Sequence, residues 1–173
     1  MSLRNVLALA GIGGVLALPA AAGSDGAVVT SANGSAHWTI ELPNPFGVEV
    51  WNRTLSFNAR KYADGSVTGR FEYHQVVEGE AFRFNIDVTC LQVYDTNRAK
   101  LGGVIVVSHD PTVPVGLFAW FSVFDNGEGA GAQPDRASLV GFGDEAANEA
   151  FCNDPALPRL GPWDVEGSVQ VRG

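Results

Sequence analysis

Cysteine occurs twice, histidine three times and lysine twice among the 173 residues, and each shortage excludes something. Two cysteines are too few for a disulfide-dense miniprotein or a four-thiolate zinc centre. The histidines, His37, His74 and His109, show neither His-x-His nor His-Glu-x-x-His spacing, so no zinc-hydrolase pattern is present. Basic residues number 11 against 19 acidic ones, and a formal charge of −8 lacks the basic face that nucleic-acid binding needs. An acidic surface favours solubility and repels phosphate polymers and anionic membranes, but it selects no ligand. What is plentiful is apolar: 46% hydrophobic and 10% aromatic residues are incompatible with a disordered chain. Two lysines beside nine arginines, with alanine and glycine abundant, is the usage of a GC-rich, bacterial genome.

Long hydrophobic runs are also missing. A membrane-spanning helix takes roughly 20 apolar residues, and the longest run here, Val6 to Leu18, has 13. Arg4 precedes it, and Leu18-Pro19-Ala20-Ala21-Ala22 ends it with a helix breaker and an Ala-x-Ala sequence. That combination reads as a secretory signal peptide over residues 1–22. Without a cysteine just beyond it, the leader is not of the lipid-anchored kind. Cleavage after Ala22 leaves 151 residues (173 less 22), a size suited to a single secreted or periplasmic domain over 23–173 with no membrane anchor. In an oxidising compartment Cys90 and Cys152 are expected to join. Closing a loop of about 60 residues is worth roughly 4 kcal/mol in the chain-entropy model, whereas a reactive pair would sit as Cys-x-x-Cys.

The remaining sequence alternates with a period of two. Trp38, Ile40 and Leu42 share one face against His37, Thr39 and Glu41, and Leu55, Phe57 and Ala59 do the same against Thr54, Ser56 and Asn58. Asp64-Gly65 is a hairpin signal, followed by Val67, Gly69, Phe71 and Tyr73 on one side. After a turn at Glu78-Gly79-Glu80, Phe82, Phe84, Ile86, Val88 and Cys90 form a dry face. Leu101 to Val107 and Gly116 to Phe124 are apolar on both faces, hence central, and Val165 to Val171 closes the chain. The expectation is an all-β domain, a single antiparallel β-barrel or β-sandwich of about eight strands, with one short helix around Asp144 to Phe151. Asn126 to Gly143 reads as a long connecting loop.

Chemistry is harder to find. Ser108-His109-Asp110 has the residue types of a hydrolytic triad, but neighbours in an extended segment point to opposite sides, and a triad must converge from separate segments. Gly127-Glu128-Gly129-Ala130-Gly131 lacks the lysine and hydroxyl of a phosphate loop. No catalytic residue and no resident cofactor are therefore assigned. Asp125, Asn126, Glu128 and Asp135 concentrate oxygen donors in one loop and make it the candidate metal site, for calcium, although the spacing is not that of an EF-hand. Trp38, Trp51, Phe57, Phe71, Tyr73, Trp120 and Trp163 suit a core, or the lining of a cavity for an apolar or sugar ligand.

The phrases Ser56-Phe57-Asn58-Ala59, Gly65-Ser66-Val67-Thr68-Gly69-Arg70-Phe71, Val88-Thr89-Cys90-Leu91 and Val123-Phe124-Asp125-Asn126-Gly127-Glu128-Gly129 occur in that order. They resemble a group of small exported bacterial all-β domains of uncharacterised function. The resemblance implies fold and export and carries over no catalytic residue. Its Asp-Asn-Gly-Glu turn adds to the cation expectation. The functional expectation is a non-enzymatic β-domain that binds an extracellular or periplasmic ligand, or serves a structural role, outside the cytoplasm. The alternative is a small-barrel enzyme or carrier that uses an aromatic-lined interior.

Overall fold

A computed structural model describes residues 26–45, 47–156 and 161–173, so the leader read at 1–22 lies outside the described residues. The domain is all-β. Ten strands run β1 (Val28–Asn44), β2 (Gly47–Tyr62), β3 (Val67–Val77), β4 (Glu80–Tyr94), β5 (Arg98–Ser108), β6 (Phe118–Phe124), β7 (Arg136–Ala137), β8 (Gly141–Gly143), β9 (Trp163–Asp164) and β10 (Glu166–Arg172). Among the described residues a single helix, α1 (Glu145–Asn153), lies between β8 and β9. All strands belong to one antiparallel sheet in the order β10-β1-β2-β3-β4-β5-β6-β7-β9, with β8 paired to β6. The count of about eight rises to ten because β7, β8 and β9 are two or three residues long, too short for alternation to register.

Hairpins build most of the sheet. Glu78 and Gly79, with φ of 51° and 86°, make the left-handed two-residue turn that joins β3 to β4 and suits the twist of paired strands. At the other end of β3, Asp64 Oδ1 accepts from the Ser66 amide and hydroxyl and fixes the turn from β2. The sheet turns back on itself: Phe57 of β2 and Phe71 of β3 meet Phe121 of β6 edge-on, at 5.4 and 4.9 Å between ring centres. Each such pair adds about 0.5–1.5 kcal/mol beyond its area burial.

The ladder is not closed by backbone pairing. Its two ends, β9 and β10, are separated only by Val165. Carboxylates span the gap. Asp135 accepts from the amides of Asn126 (2.8 Å) and Val169 (2.7 Å), and Asp125 accepts from Gly127 and Val171, both at 2.9 Å. Alternate amides of a strand point to opposite edges, so Val169 and Val171 present the edge that β10 turns away from β1.

A bulge between Val88 and Cys90 in β4 reverses the alternation, so that Leu91 rather than Cys90 continues the dry face. Cys90 therefore faces outward, beside Gly102 of β5, and not inward as simple alternation predicts. There it is disulfide-bonded to Cys152 of α1, with Cα atoms 6.5 Å apart, and clamps the helix to the outer surface of β4 to β6. Asp144 caps the helix start by accepting from the Ala147 amide at 2.8 Å. Its last turn contains no basic residue, and the strands beneath supply the caps. Tyr94 donates to the Cys152 carbonyl, Lys100 to those of Phe151 and Asp154, and Arg98 to that of Pro155. Gly102 permits the close approach, since an added Cβ would overlap Asn148 Oδ1.

Candidate functional site: a buried arginine at the apolar end

The strand registers define two ends. One holds the turn after β2, the β6–β7 loop and the chain terminus. The other holds the β1–β2 hairpin tip, the Glu78-Gly79 turn, the β5–β6 connection and β8. Near this second end one inner row runs across four strands: Trp38 on β1 faces Arg53 on β2, Arg53 faces Gln75 on β3, and Gln75 faces Phe82 on β4. Arg53 shares the parity of Leu55, Phe57 and Ala59, so it belongs to the core face.

Its surroundings are unusual for a cation. Arg53 is 3% exposed, yet it forms no ion pair among the described residues. Its guanidinium carbon lies 4.5 Å from the centre of the Trp51 ring, a cation–π contact. Nε donates to Gln75 Oε1 at 3.2 Å, the same oxygen that accepts from the Tyr73 hydroxyl at 2.6 Å. Nη1 is buried and has no hydrogen-bond partner among the described residues, and neither do the indole nitrogens of Trp38 and Trp51. Three nitrogen donors on neighbouring residues of β1 and β2 thus have no acceptor among the described residues. Burial lowers the pKa of Arg53, with Tyr73 opposing the shift, and pushes the Tyr73 phenol up to about 12.

Above this row the end is apolar. Phe142 of β8 reaches over to Phe84, 5.2 Å between ring centres, and Tyr73, 6.4 Å, while remaining partly exposed. Leu42, Val48 and Val50 on the hairpin and Val106, Val107 and Val115 opposite are exposed large apolar residues, Val48 and Val115 to 59% and 60%. β10 stops pairing with β1 at His37, leaving Trp38 to Asn44 without a paired strand on that side among the described residues. A cleft of about 400 Å³ opens there, lined by Trp38, His37, Thr39, Pro134 and Asp164 to Glu166. Its rim is acidic, although Asp164 lies 3.5 Å from the Arg136 guanidinium.

The residues singled out in the sequence fall elsewhere or divide. Asp125, Asn126, Glu128 and Asp135 do come together, at the opposite end. Each oxygen of Asp125 and Asp135 already accepts a backbone amide, Asn126 donates to the Pro134 carbonyl, and Glu128 accepts from Ser168. No group of three or more His, Cys, Asp or Glu close enough to hold a metal occurs among the described residues. Ser108 and Asp110 form a turn: Ser108 Oγ donates to the Val113 carbonyl and accepts from the Asp110 amide, while Asp110 Oδ1 accepts from Thr112. Of the aromatics, Phe57 and Phe71 pack the core, Trp120 lies under the helix against Phe151, and Trp38, Trp51 and Tyr73 surround Arg53. Arg53 and Gln75 themselves carry no motif. Continuing the alternation of their strands is the signal that finds them.

Comparison with known proteins gave no match to a family model, to a curated protein or to a solved structure. No helix among the described residues is long and apolar enough to cross a membrane.

Proposed function

We propose that this chain is an exported bacterial β-domain that binds a small ligand without transforming it, and that the ligand is received at the apolar end around Arg53. The leader-like segment and the disulfide support export, since such bonds persist in oxidising compartments. A binding role is supported by polar groups that serve recognition without forming a nucleophile–base pair: an arginine, a glutamine and two indoles, set among aromatic rings. The single observation that carries the reading is the Arg53 guanidinium, buried with one nitrogen unpartnered and no carboxylate beside it. A buried charge without a partner costs several kcal/mol or more, and a protein retains one where it has work to do.

The test is native mass spectrometry of the protein purified from an exporting cell. The expected spectrum shows a chain beginning at Gly23 with one small molecule bound, released on unfolding and missing from Arg53→Met. A bare chain for the wild type, with no mass difference from Arg53→Met, would overturn the binding reading.

A further inference from the structure

We infer that the ligand is an amphipathic organic anion, with its carboxylate on Arg53 and its apolar body along the exposed rim of the same end. This inference rests on the binding site proposed above and assigns the ligand class.

The head group follows from the donors. Arg53 Nη1 and the indole nitrogens of Trp38 and Trp51 can only donate, so the group that satisfies them must accept. The guanidinium also carries a positive charge that no ion pair among the described residues offsets, and a neutral acceptor would leave it so. A carboxylate supplies both the acceptor oxygens and the countercharge, and guanidinium–carboxylate pairs are among the stronger hydrogen-bonded contacts. Gln75 holds the Nε side of the fork, and Trp51 stacks on its face, which fixes the guanidinium plane before a ligand arrives.

The body follows from the rim. Leu42 lies four residues from Trp38, the residue that faces Arg53, roughly 13 Å along β1. Over that span Trp38, Ile40 and Leu42 share the inner face with Trp51 and Arg53. Leu42 is exposed at the outer end and Phe142 lies partly exposed over Tyr73, whereas Val48 and Val50 have the opposite parity and face outward. Isolated apolar residues on a surface are ordinary, but several at one end leading to one buried charge form an apolar track with an ionic terminus. An unbranched aliphatic chain of medium length fits that track. The acidic rim and the net charge of −8 act against an arriving anion, so association is slow at low ionic strength and faster when salt screens the repulsion.

Isothermal titration of delipidated protein with straight-chain carboxylates of six to twelve carbons, and with the alcohols of equal length, tests the assignment. Affinity should rise about fourfold per methylene until the chain passes the rim. Each carboxylate should bind at least tenfold tighter than its alcohol, a preference lost in Arg53→Met and reduced in Arg53→Lys. Equal affinity for acid and alcohol, unchanged by Arg53→Met, overturns the head-group assignment and leaves the binding site standing. Tight carboxylate binding without dependence on chain length overturns the amphipathic body. Binding of neither series overturns the ligand class, while the native spectrum decides separately whether any ligand occupies this end.

Discussion

The two ends of this sheet bury polar groups in opposite ways. At one end Asp125 and Asp135 present four carboxylate oxygens, and each accepts a backbone amide, two from the loop and two, Val169 and Val171, from the open edge of β10. At the other, Arg53 Nη1 and the indole nitrogens of Trp38 and Trp51 meet no acceptor among the described residues. Burial alone does not distinguish a structural polar group from a functional one. Charge compensation does: Arg98 at the first end also has an unpartnered Nε, yet its charge meets Asp95, whereas the Arg53 guanidinium has no ion pair among the described residues.

The satisfied end should be the fragile one when mutated. Asp135→Ala removes two charge-assisted hydrogen bonds that hold β10 and the β6–β7 loop, each worth about 1.5–3 kcal/mol, so a loss of roughly 3–6 kcal/mol is expected in chemical denaturation. Asp135→Asn should recover part of it, because an amide oxygen still accepts. A loss under about 1 kcal/mol would show that carboxylates do not hold the two ends of the sheet together.

Tyr73 gives the apolar end a pH signature. Burial raises its phenol from 10 to about 12, so below pH 10 folded and unfolded chains both keep the proton and the full contribution is present. Between pH 10 and 12 the unfolded chain releases the proton while the folded one holds it, and stability falls by about 3 kcal/mol. Taken as the difference between wild type and Tyr73→Phe, the measurement cancels Tyr94 and Lys100, which shift for their own reasons. Identical alkaline denaturation curves for the two proteins would mean that the hydroxyl is hydrated, and the end far more open than its geometry indicates.

Much of this was legible in the residues. Alternation located the seven long strands and separated dry from wet faces, and Asp64-Gly65 and Glu78-Gly79 marked their turns. It failed where geometry breaks the period. The bulge at Thr89 sends Cys90 to the outer face, a reversal that Val88-Thr89-Cys90-Leu91 does not announce. The first strand begins at Val28 because Ala32, Gly34 and Ala36 suit a crowded inner face, a pattern of small residues rather than apolar ones. Arg53 and Gln75 sit one step beyond the clearest alternation of β2 and β3. Followed outward, the parity of Leu55 and Tyr73 lands on both, a polar residue in a position otherwise reserved for apolar ones.

The sharpest contrast between satisfied and unsatisfied burial is between two cations. Lys100 is 2% exposed and Arg53 is 3% exposed, yet Lys100 gives its ammonium to the Phe151 and Asp154 carbonyls at the helix end and lies 4.5 Å from the Phe151 ring centre. Replacing it by methionine strands those carbonyls and the end of α1, and should destabilise the domain by about 2 kcal/mol. The same change at Arg53 strands only the Gln75 oxygen, which Tyr73 still serves, and removes a charge that nothing among the described residues neutralises. Apolar replacement of buried charge is commonly neutral or stabilising, so Arg53→Met should gain about 1–2 kcal/mol in the ligand-free protein. Parallel denaturation of the two variants reads the signs directly. Destabilisation of similar size at both sites would mean that Arg53 is bound into the fold as firmly as Lys100, and its open nitrogen would no longer point to a ligand. Opposite signs would show that stability is given up at one end of the sheet and kept at the other.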